Sequence, residues 1–514
     1  MATPGGIVGE FDDIIVGGGS AGIALATRLT EDEGRRVLLI EAGPDSGGAT
    51  EDDRLGDQMR FASTLTTWGT DATFAPGITY NYPIGRKLGG GSAVNGAFAV
   101  RGLRDDYERW AAFGGDEWSW SHMLRALCRL ESDQDFADEY NGTTGPVPIV
   151  RWRQDELLPA QQAFLAAVTD HGLAWVDDLN APDASGIGAI PMNRRDGLRM
   201  STALTYLPLA RDRSNLTIWS DTEVAHVVVE KGRATGVELR RDGRPQVVTG
   251  SRVILCGGAL QSPALLLRSG IGPAQHLADV GITCHVDLPG VGENLMDHQG
   301  VAVYLVPHGE LPPPDDRVCQ LGARYTSSTA TGRDDMWLSM WSAWQLAEFP
   351  DLYAALGVPA ISAVIVGVHD PKSRGTVRLR SDDPSVRPEV DFRMLSDPAD
   401  LDRLVEGLEL AIGLASHRAF AQTYRGIGLL DASATDRATL EGYIRSSVGG
   451  WFHASGTCRM GSDSDDGAVV DGQLRVRGVD GLHVADASVM PTVPRAPTNL
   501  STIAIGERAA ELLR

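Results

Sequence analysis

The amino-acid sequence predicts an α/β fold, α+β overall, in which a nucleotide-binding β-α-β unit opens the chain and a strand-rich region fills its middle. Three observations carry that expectation. The first 41 residues read strand, glycine cluster, helix, strand. Two short apolar runs far downstream, 253–256 and 482–485, read as further buried strands. Residues 216–254 and about 301–393 are strand-rich, whereas helical periodicity dominates 397–446.

Taken in order, DDIIV at 12–16 is a β-branched run that stops at GGGSAG. Ile23, Leu25, Ala26 and Leu29 then fall at helix-compatible spacing, and the polar stretch EDEGRR turns the chain into VLLIE, the second strand. Residues 45–84 read as irregular. A second glycine-dense stretch occupies 85–96. The segment 216–254 has turn signals at Lys231-Gly232 and Asp242-Gly243, the mark of a β-meander. The strand 253–256 ends at Gly257-Gly258, and LQSPALLLRSG continues as a helix to a Gly-Pro stop. A proline-rich loop is expected at 312–314, and a helix ending ERAAELLR closes the chain. No repeat and no linker marks a boundary, which points to domains interleaved in sequence.

At 514 residues, the chain has room for two to four domain-sized units, and 42% hydrophobic residues give it a large core. Lys+Arg 46 against Asp+Glu 68 leaves −22, a balance that repels phosphate backbones and anionic membranes. No run approaches the ~18–20 apolar residues of a membrane span, and the N-terminus lacks a signal-peptide pattern. The expectation is a cytoplasmic protein with no nucleic-acid or membrane partner. Five scattered cysteines, Cys128, Cys256, Cys284, Cys319 and Cys458, make neither a disulfide framework nor a zinc site.

Gly17, Gly19 and Gly22 form G-x-G-x-x-G between a strand and a helix. The first allows the tight turn, the second lets backbone approach a pyrophosphate, and the third lets helix and strand pack closely. Glu41 ends the next strand, placed to accept hydrogen bonds from adenosine ribose hydroxyls. A glutamate there, with no arginine poised for a 2′-phosphate, disfavours NADP. Gly18, Gly19, Ser20, Ala21 and Gly22 also satisfy G-x-S-x-G, the nucleophile elbow of α/β-hydrolases. An elbow at position 20 would leave almost no sheet before it and would give Glu41 no task, so dinucleotide binding is the stronger reading.

The second cluster, GRKLGGGSAVNG, lacks the ending of a P-loop. Gly85 to Ser92 with Asn95 resembles the first signature of the glucose–methanol–choline (GMC) oxidoreductases. Gly258-Ala259-Leu260-Gln261-Ser262-Pro263 with Ser269-Gly270-Ile271-Gly272 resembles the second. HASGTCRMG, VADASVMP and TNLSTIAIGERAA are similar to that family's closing blocks in order and spacing, so the resemblance spans essentially the whole chain.

The resemblance implies an FAD enzyme that oxidises an alcohol. It implies a Rossmann-type FAD-binding domain (10–160, 205–299 and 455–514) interleaved with a substrate domain (161–204 and 300–454) built on an antiparallel sheet flanked by helices. Carried over, Gly17, Gly19, Ser20, Ala21 and Gly22 hold the pyrophosphate, and Glu41 with Ala42 the ribose side. Gly90, Ser92, Asn95 and Gly96 lie along the flavin, and Val224 meets the adenine end through its backbone. Asp486 and Ala487 belong to the pyrophosphate–ribityl side, Asn499 and Thr502 to the isoalloxazine. Val94 stands where some members carry the histidine that binds FAD covalently, so the flavin is expected to be noncovalent. Ser501 replaces a proline common in the family.

Passing a hydride from an alcohol carbon to a flavin requires loss of the hydroxyl proton, which a neutral imidazole accepts near pH 7. His453, in HASGTC, matches the family's catalytic histidine, and Asn499 matches its second position, where the resemblance implies an amide that hydrogen-bonds the alcohol oxygen. Trp451 and Phe452 are read as pocket walls. His298 and His483 are read as structural, and His122, His171, His226, His276, His285, His308, His369 and His417 show no spacing of interest. No metal site is expected. The pocket is expected from 301–370. The partner is a small alcohol, aromatic, sugar-like or aliphatic, with aromatic residues near His453 favouring a planar one, and the electrons go to O₂ or another acceptor. A cyanohydrin-type lyase with non-redox FAD is the alternative within the same fold.

Overall fold

The computed structural model describes residues 10–50, 53–55, 66–241, 244–311, 317–347, 349–431, 433 and 436–514. The expected turn at Asp242-Gly243 and the proline-rich loop at 312–314 lie outside these residues.

The strands Leu216–Trp219, Val37–Ile40, Glu10–Val16, the second half of Arg244–Leu255, and Leu482–Val484 pair in that order, all parallel. Residues such as Ile14, Leu38, Ile254 and Val484 have no solvent exposure, which is why these strands read as continuous apolar runs. The long strand Arg244–Leu255 changes partners midway. Its first half pairs antiparallel with Arg233–Arg241, which pairs in turn with Glu223–Glu230, and this is the expected meander. The helix Ser20–Leu29 connects the first two parallel strands and packs on the closing helix Asn499–Leu512. The first core gathers residues from 14–40, 107–149, 206–291 and 458–513.

A second sheet runs Tyr424–Gly428, Gln299–Pro307, Ala360–Val368, Met336–Gln345, Leu321–Tyr325, Gly186–Ala189, antiparallel throughout, with Gly449–Gly450 paired at one end of Gln299–Pro307. Period-two alternation divides its faces. Val301, Val303, Leu338, Met340, Val364 and Val366 face the second core, under the helix Pro398–Ala415. Their neighbours Ala302, Tyr304, Trp337, Ser339, Trp341 and Ile365 face a cavity. The helices Pro398–Ala415 and Arg437–Ser447 supply the helical periodicity seen in the sequence.

One expectation fails in detail. The stretch read as irregular contains the hairpin Thr70–Ala75 and Ile78–Tyr82, closed by Pro76-Gly77 with Gly77 at φ 82°. Proline followed by a positive-φ glycine is a two-residue turn signal, and the polar residues around it masked the alternation. The hairpin packs into the second core through Ala72, Phe74 and Tyr82. No helix among the described residues is long and apolar enough to cross a membrane.

Candidate active site

The glycine loop is built by close approach. Gly17 sits at φ 113°, and a Cβ there would lie 2.4 Å from the Cys256 carbonyl oxygen. A Cβ on Gly22 would lie 2.0 Å from the Gly17 oxygen. Only glycine fits either place. The helix beginning at Ser20 carries no side-chain cap and no acidic residue in its first turn, which leaves its free N–H groups and positive dipole end for an anion. Glu41 accepts the Gly18 N–H on one carboxylate oxygen and the Gly43 N–H on the other, each at 2.9 Å. Burial pushes its carboxyl above the ordinary range, against those two amides. The Ser20 hydroxyl donates to Asn499 Oδ1 at 2.9 Å, so it meets an amide oxygen where a hydrolase nucleophile would need a base.

Gly17, Gly19, Ser20, Ala21, Glu41, Ala42, Gly90, Asn95, Gly96, Val224, Asp486, Ala487, Asn499 and Thr502 all line one cavity of about 810 Å³, and His453 lines the same space. Val94 is also on its wall. Two expected residues stand behind that wall. Gly22 makes room for the turn, and the Ser92 hydroxyl donates to the Gly89 carbonyl at 2.6 Å. Asp486 is buried, one oxygen accepting from Gly258 N at 2.8 Å and Ser262 Oγ at 2.6 Å, the other from Ser488. An uncapped helix N-terminus, a fixed carboxylate at a strand end and an elongated cavity between them suit a dinucleotide cofactor.

His453 is set by a clamp that sequence reasoning missed. The buried Asp297 carboxylate accepts the backbone N–H groups of His453 (2.9 Å) and Phe452 (3.1 Å) and the Tyr82 hydroxyl (2.9 Å). That hydroxyl accepts in turn from the Ala454 N–H. Burial outweighs these donors and raises the Asp297 carboxyl to about 7. Phe452 holds φ 64°, a costly conformation for a bulky residue, held here by the bonds on either side. Trp451 lies across Gly300 and Gly367, where a Cβ would approach the indole to 2.5 and 2.6 Å. These two glycines are the flat seat of that ring.

The His453 imidazole meets His298, Nδ1 to Nδ1, at 2.8 Å, and His298 Nε2 meets the Pro494 carbonyl at 3.0 Å. His369 stacks on His298 with ring centroids 4.1 Å apart and on Trp337 at 5.3 Å. Burial lowers His298 to about 4 and holds His453 well below the ordinary imidazole value, with His298 adding to the effect. Both rings are therefore neutral near pH 7. The Asp297-His298 pair immediately before the strand Gln299–Pro307 was the available signal, since residues leading into a sheet strand are placed firmly. Among the described residues no hydrogen bond joins Asn499 to His453, and no group of His, Cys, Asp or Glu could hold a metal ion.

The GMC oxidoreductase family models match residues 11–300 and 371–506. The chain is a GMC oxidoreductase. It is 39% identical to a 5-(hydroxymethyl)furfural oxidase from Methylovorus sp. (strain MP688), covering 98% of each chain. It is 34% identical to an oxygen-dependent choline dehydrogenase from Rhizobium etli, over 98% of this chain and 95% of that one. The crystal structure of a pyridoxine 4-oxidase from Mesorbium loti superposes with a TM-score of 0.90 at 31% identity, covering 98% of both chains. GMC oxidoreductases are FAD-dependent, and the site just described lies where this GMC oxidoreductase's Rossmann-like sheet faces its second, antiparallel sheet.

Proposed function

We propose that this GMC oxidoreductase oxidises the hydroxymethyl group of a planar aromatic or heteroaromatic alcohol to the aldehyde, with His453 as the base and FAD held noncovalently. The observation that carries the reading is the position of His453. Its neutral imidazole stands in one cavity with the glycine loop and a wall made by Trp337, Trp341, Trp344, Tyr304 and Trp451. In this reading Gly17, Gly19, Ser20 and Ala21 hold the pyrophosphate and Glu41 the ribose. Asn95, Gly96 and Thr502 line the flavin end, and Val94 offers no atom for a covalent link. Bound FAD supplies the two-electron acceptor for the hydride that leaves the alcohol carbon.

The chain's own groups do the rest. His453 takes the hydroxyl proton, so that the C–H electron pair can leave as the C=O bond forms. The aromatic wall stacks on a flat substrate and keeps water from the reacting carbon. Asn499 spends its oxygen on Ser20 and leaves its Nδ2 without a partner among the described residues, a donor available to the alcohol oxygen. The relatives named oxidases support O₂ as the final acceptor. We also read the chain as two interleaved domains, 10–160, 205–299 and 455–514 against 161–204 and 300–454. The two cores support this division, with the hairpin of residues 70–82 siding with the second.

The test is anaerobic mixing of the holoenzyme with furan-, pyridine- and benzyl-type methanols, choline and simple sugars, followed by air. Bleaching by the aromatic methanols, at rates well above those for choline and sugars, is the expected result. A flavin that no alcohol bleaches would favour the lyase alternative. His453→Ala should slow reduction about 10²–10⁴-fold with little loss of FAD.

A further inference from the structure

The contact between the two imidazoles determines more than their separation. A carbonyl oxygen only accepts, so His298 Nε2 must carry the hydrogen shared with Pro494 O. In a neutral ring that leaves His298 Nδ1 bare. The nitrogen facing it, His453 Nδ1, must then be the donor across the 2.8 Å gap. A neutral His453 that carries its hydrogen on Nδ1 has its lone pair on Nε2, which has no hydrogen-bond partner among the described residues, on a ring that lines the cavity. We infer that His298 is a positioning residue that fixes His453 in the Nδ1–H tautomer and so keeps its Nε2 free to accept the substrate proton. This rests on His453 being the base.

The arrangement works only while His298 is neutral, because a doubly protonated His298 would present N–H to His453 and invert the tautomer. The surroundings hold it neutral. His298 has no solvent exposure, and His369 covers one face of its ring. Asp106 and Asp370 favour a proton on His298, but burial outweighs them. His369 is also buried and is disfavoured as a cation by His298, His453 and Arg324. Arg324 is a buried guanidinium bonded to the Leu179 and Arg101 carbonyls, and it lies 5.8 Å from the Trp337 ring on which His369 stacks. Arg495 lies behind Pro494, paired with Asp106. The relay also ends at a carbonyl, which cannot take a proton. A proton taken by His453 therefore has no route beyond His298 and leaves through the cavity, and a hydrogen stays between the two Nδ1 atoms in both protonation states.

The test compares flavin reduction of holoenzymes under anaerobic conditions across pH. His298→Leu removes the acceptor and should slow reduction about 10²-fold or more, in keeping with the cost of a wrong histidine tautomer in other enzymes. The substrate concentration giving half-maximal reduction should stay near that of the wild type. His298→Asn keeps an oxygen opposite His453 Nδ1 and should recover most of the lost rate. A His298→Leu enzyme as fast as wild type, while His453→Ala is slow, would overturn the tautomer assignment and leave the base intact. A fast His453→Ala would remove the base reading and this inference with it. Should His298→Leu fail to retain FAD, nitrogen NMR of histidine-labelled wild-type holoenzyme decides directly, with the resonance pair lost in His453→Ala giving the assignment. A protonated Nδ1 and bare Nε2 on His453 are expected, and the reverse would overturn the proposal.

Discussion

The Tyr82 hydroxyl stands between Asp297 and Ala454, 2.9 Å from the carboxylate oxygen it donates to and 2.9 Å from the backbone nitrogen it accepts from. One phenol thus ties the hairpin at residues 70–82 to the segment bearing His453. Tyr82→Phe would orphan a partly buried N–H and remove a donor from a buried carboxylate. The expected cost is about 3 kcal/mol of stability, read from urea unfolding of the holoenzyme, with FAD content unchanged. A midpoint equal to wild type would mean that the clamp is not rigid.

Asp297 itself makes stability depend on pH. Its carboxyl is raised from 3.8 to about 7 in the folded protein, chiefly by burial. A raised folded value means the folded state binds the proton more tightly than the unfolded chain. The stabilisation is fully present below about pH 4 and is lost as pH rises through 7. A shift of this size corresponds to on the order of 4 kcal/mol. The advantage of wild type over Asp297→Asn should be largest near pH 4 and shrink toward pH 8, measured by urea midpoints. A difference constant with pH would place the titration elsewhere.

Glu41 holds two backbone amides, and the proposed function gives it the ribose as well. Glu41→Ala frees the Gly18 and Gly43 N–H groups inside the protein and removes the carboxylate at the cavity wall. FAD affinity should fall at least tenfold, about 1.4 kcal/mol, while any loaded enzyme keeps its rate of flavin reduction. Equilibrium dialysis of the apoprotein with FAD checks this, and unchanged affinity would show that Glu41 does not hold the ribose.

Much of this was legible in the sequence because local chemistry and tertiary role coincide there. The turn at Gly17 and Gly22, Glu41 at a strand end and the meander from residue 216 are each specified within a few residues. The neighbours of His453 were not. Asp297, His298 and Tyr82 are 155 or more positions away from it and reach it only because the antiparallel sheet and the hairpin bring them together. No local periodicity encodes such a meeting. Ser92 was expected along the flavin, but its side chain turns inward to Gly89, a direction that motif matching does not contain.

The proposal of noncovalent FAD rests on Val94, an aliphatic side chain on the cavity wall. Acid precipitation should release yellow cofactor into the supernatant. Flavin retained in the washed pellet would contradict this.

The glycine loop gives the sharpest test of the cofactor site, because sterics and backbone freedom predict opposite signs at two glycines. Gly22 lies in the helix Ser20–Leu29, and a methyl there would stand 2.0 Å from the Gly17 oxygen. That oxygen belongs to the turn itself, so relief requires the helix to move off the strand and carry its N–H groups away from the anion they would bind. Gly413 also lies within a helix, Pro398–Ala415, but it is exposed and a methyl there meets nothing within 4 Å among the described residues. Alanine at Gly413 should stabilise the protein by about 0.5–1 kcal/mol through helix propensity and a less flexible unfolded chain. Alanine at Gly22 should yield protein with little or no FAD and a lower unfolding midpoint. Purifying both variants and measuring flavin content and urea midpoints separates the two effects. If Gly22→Ala keeps full flavin occupancy, the close approach of helix and strand is not what shapes the cofactor site.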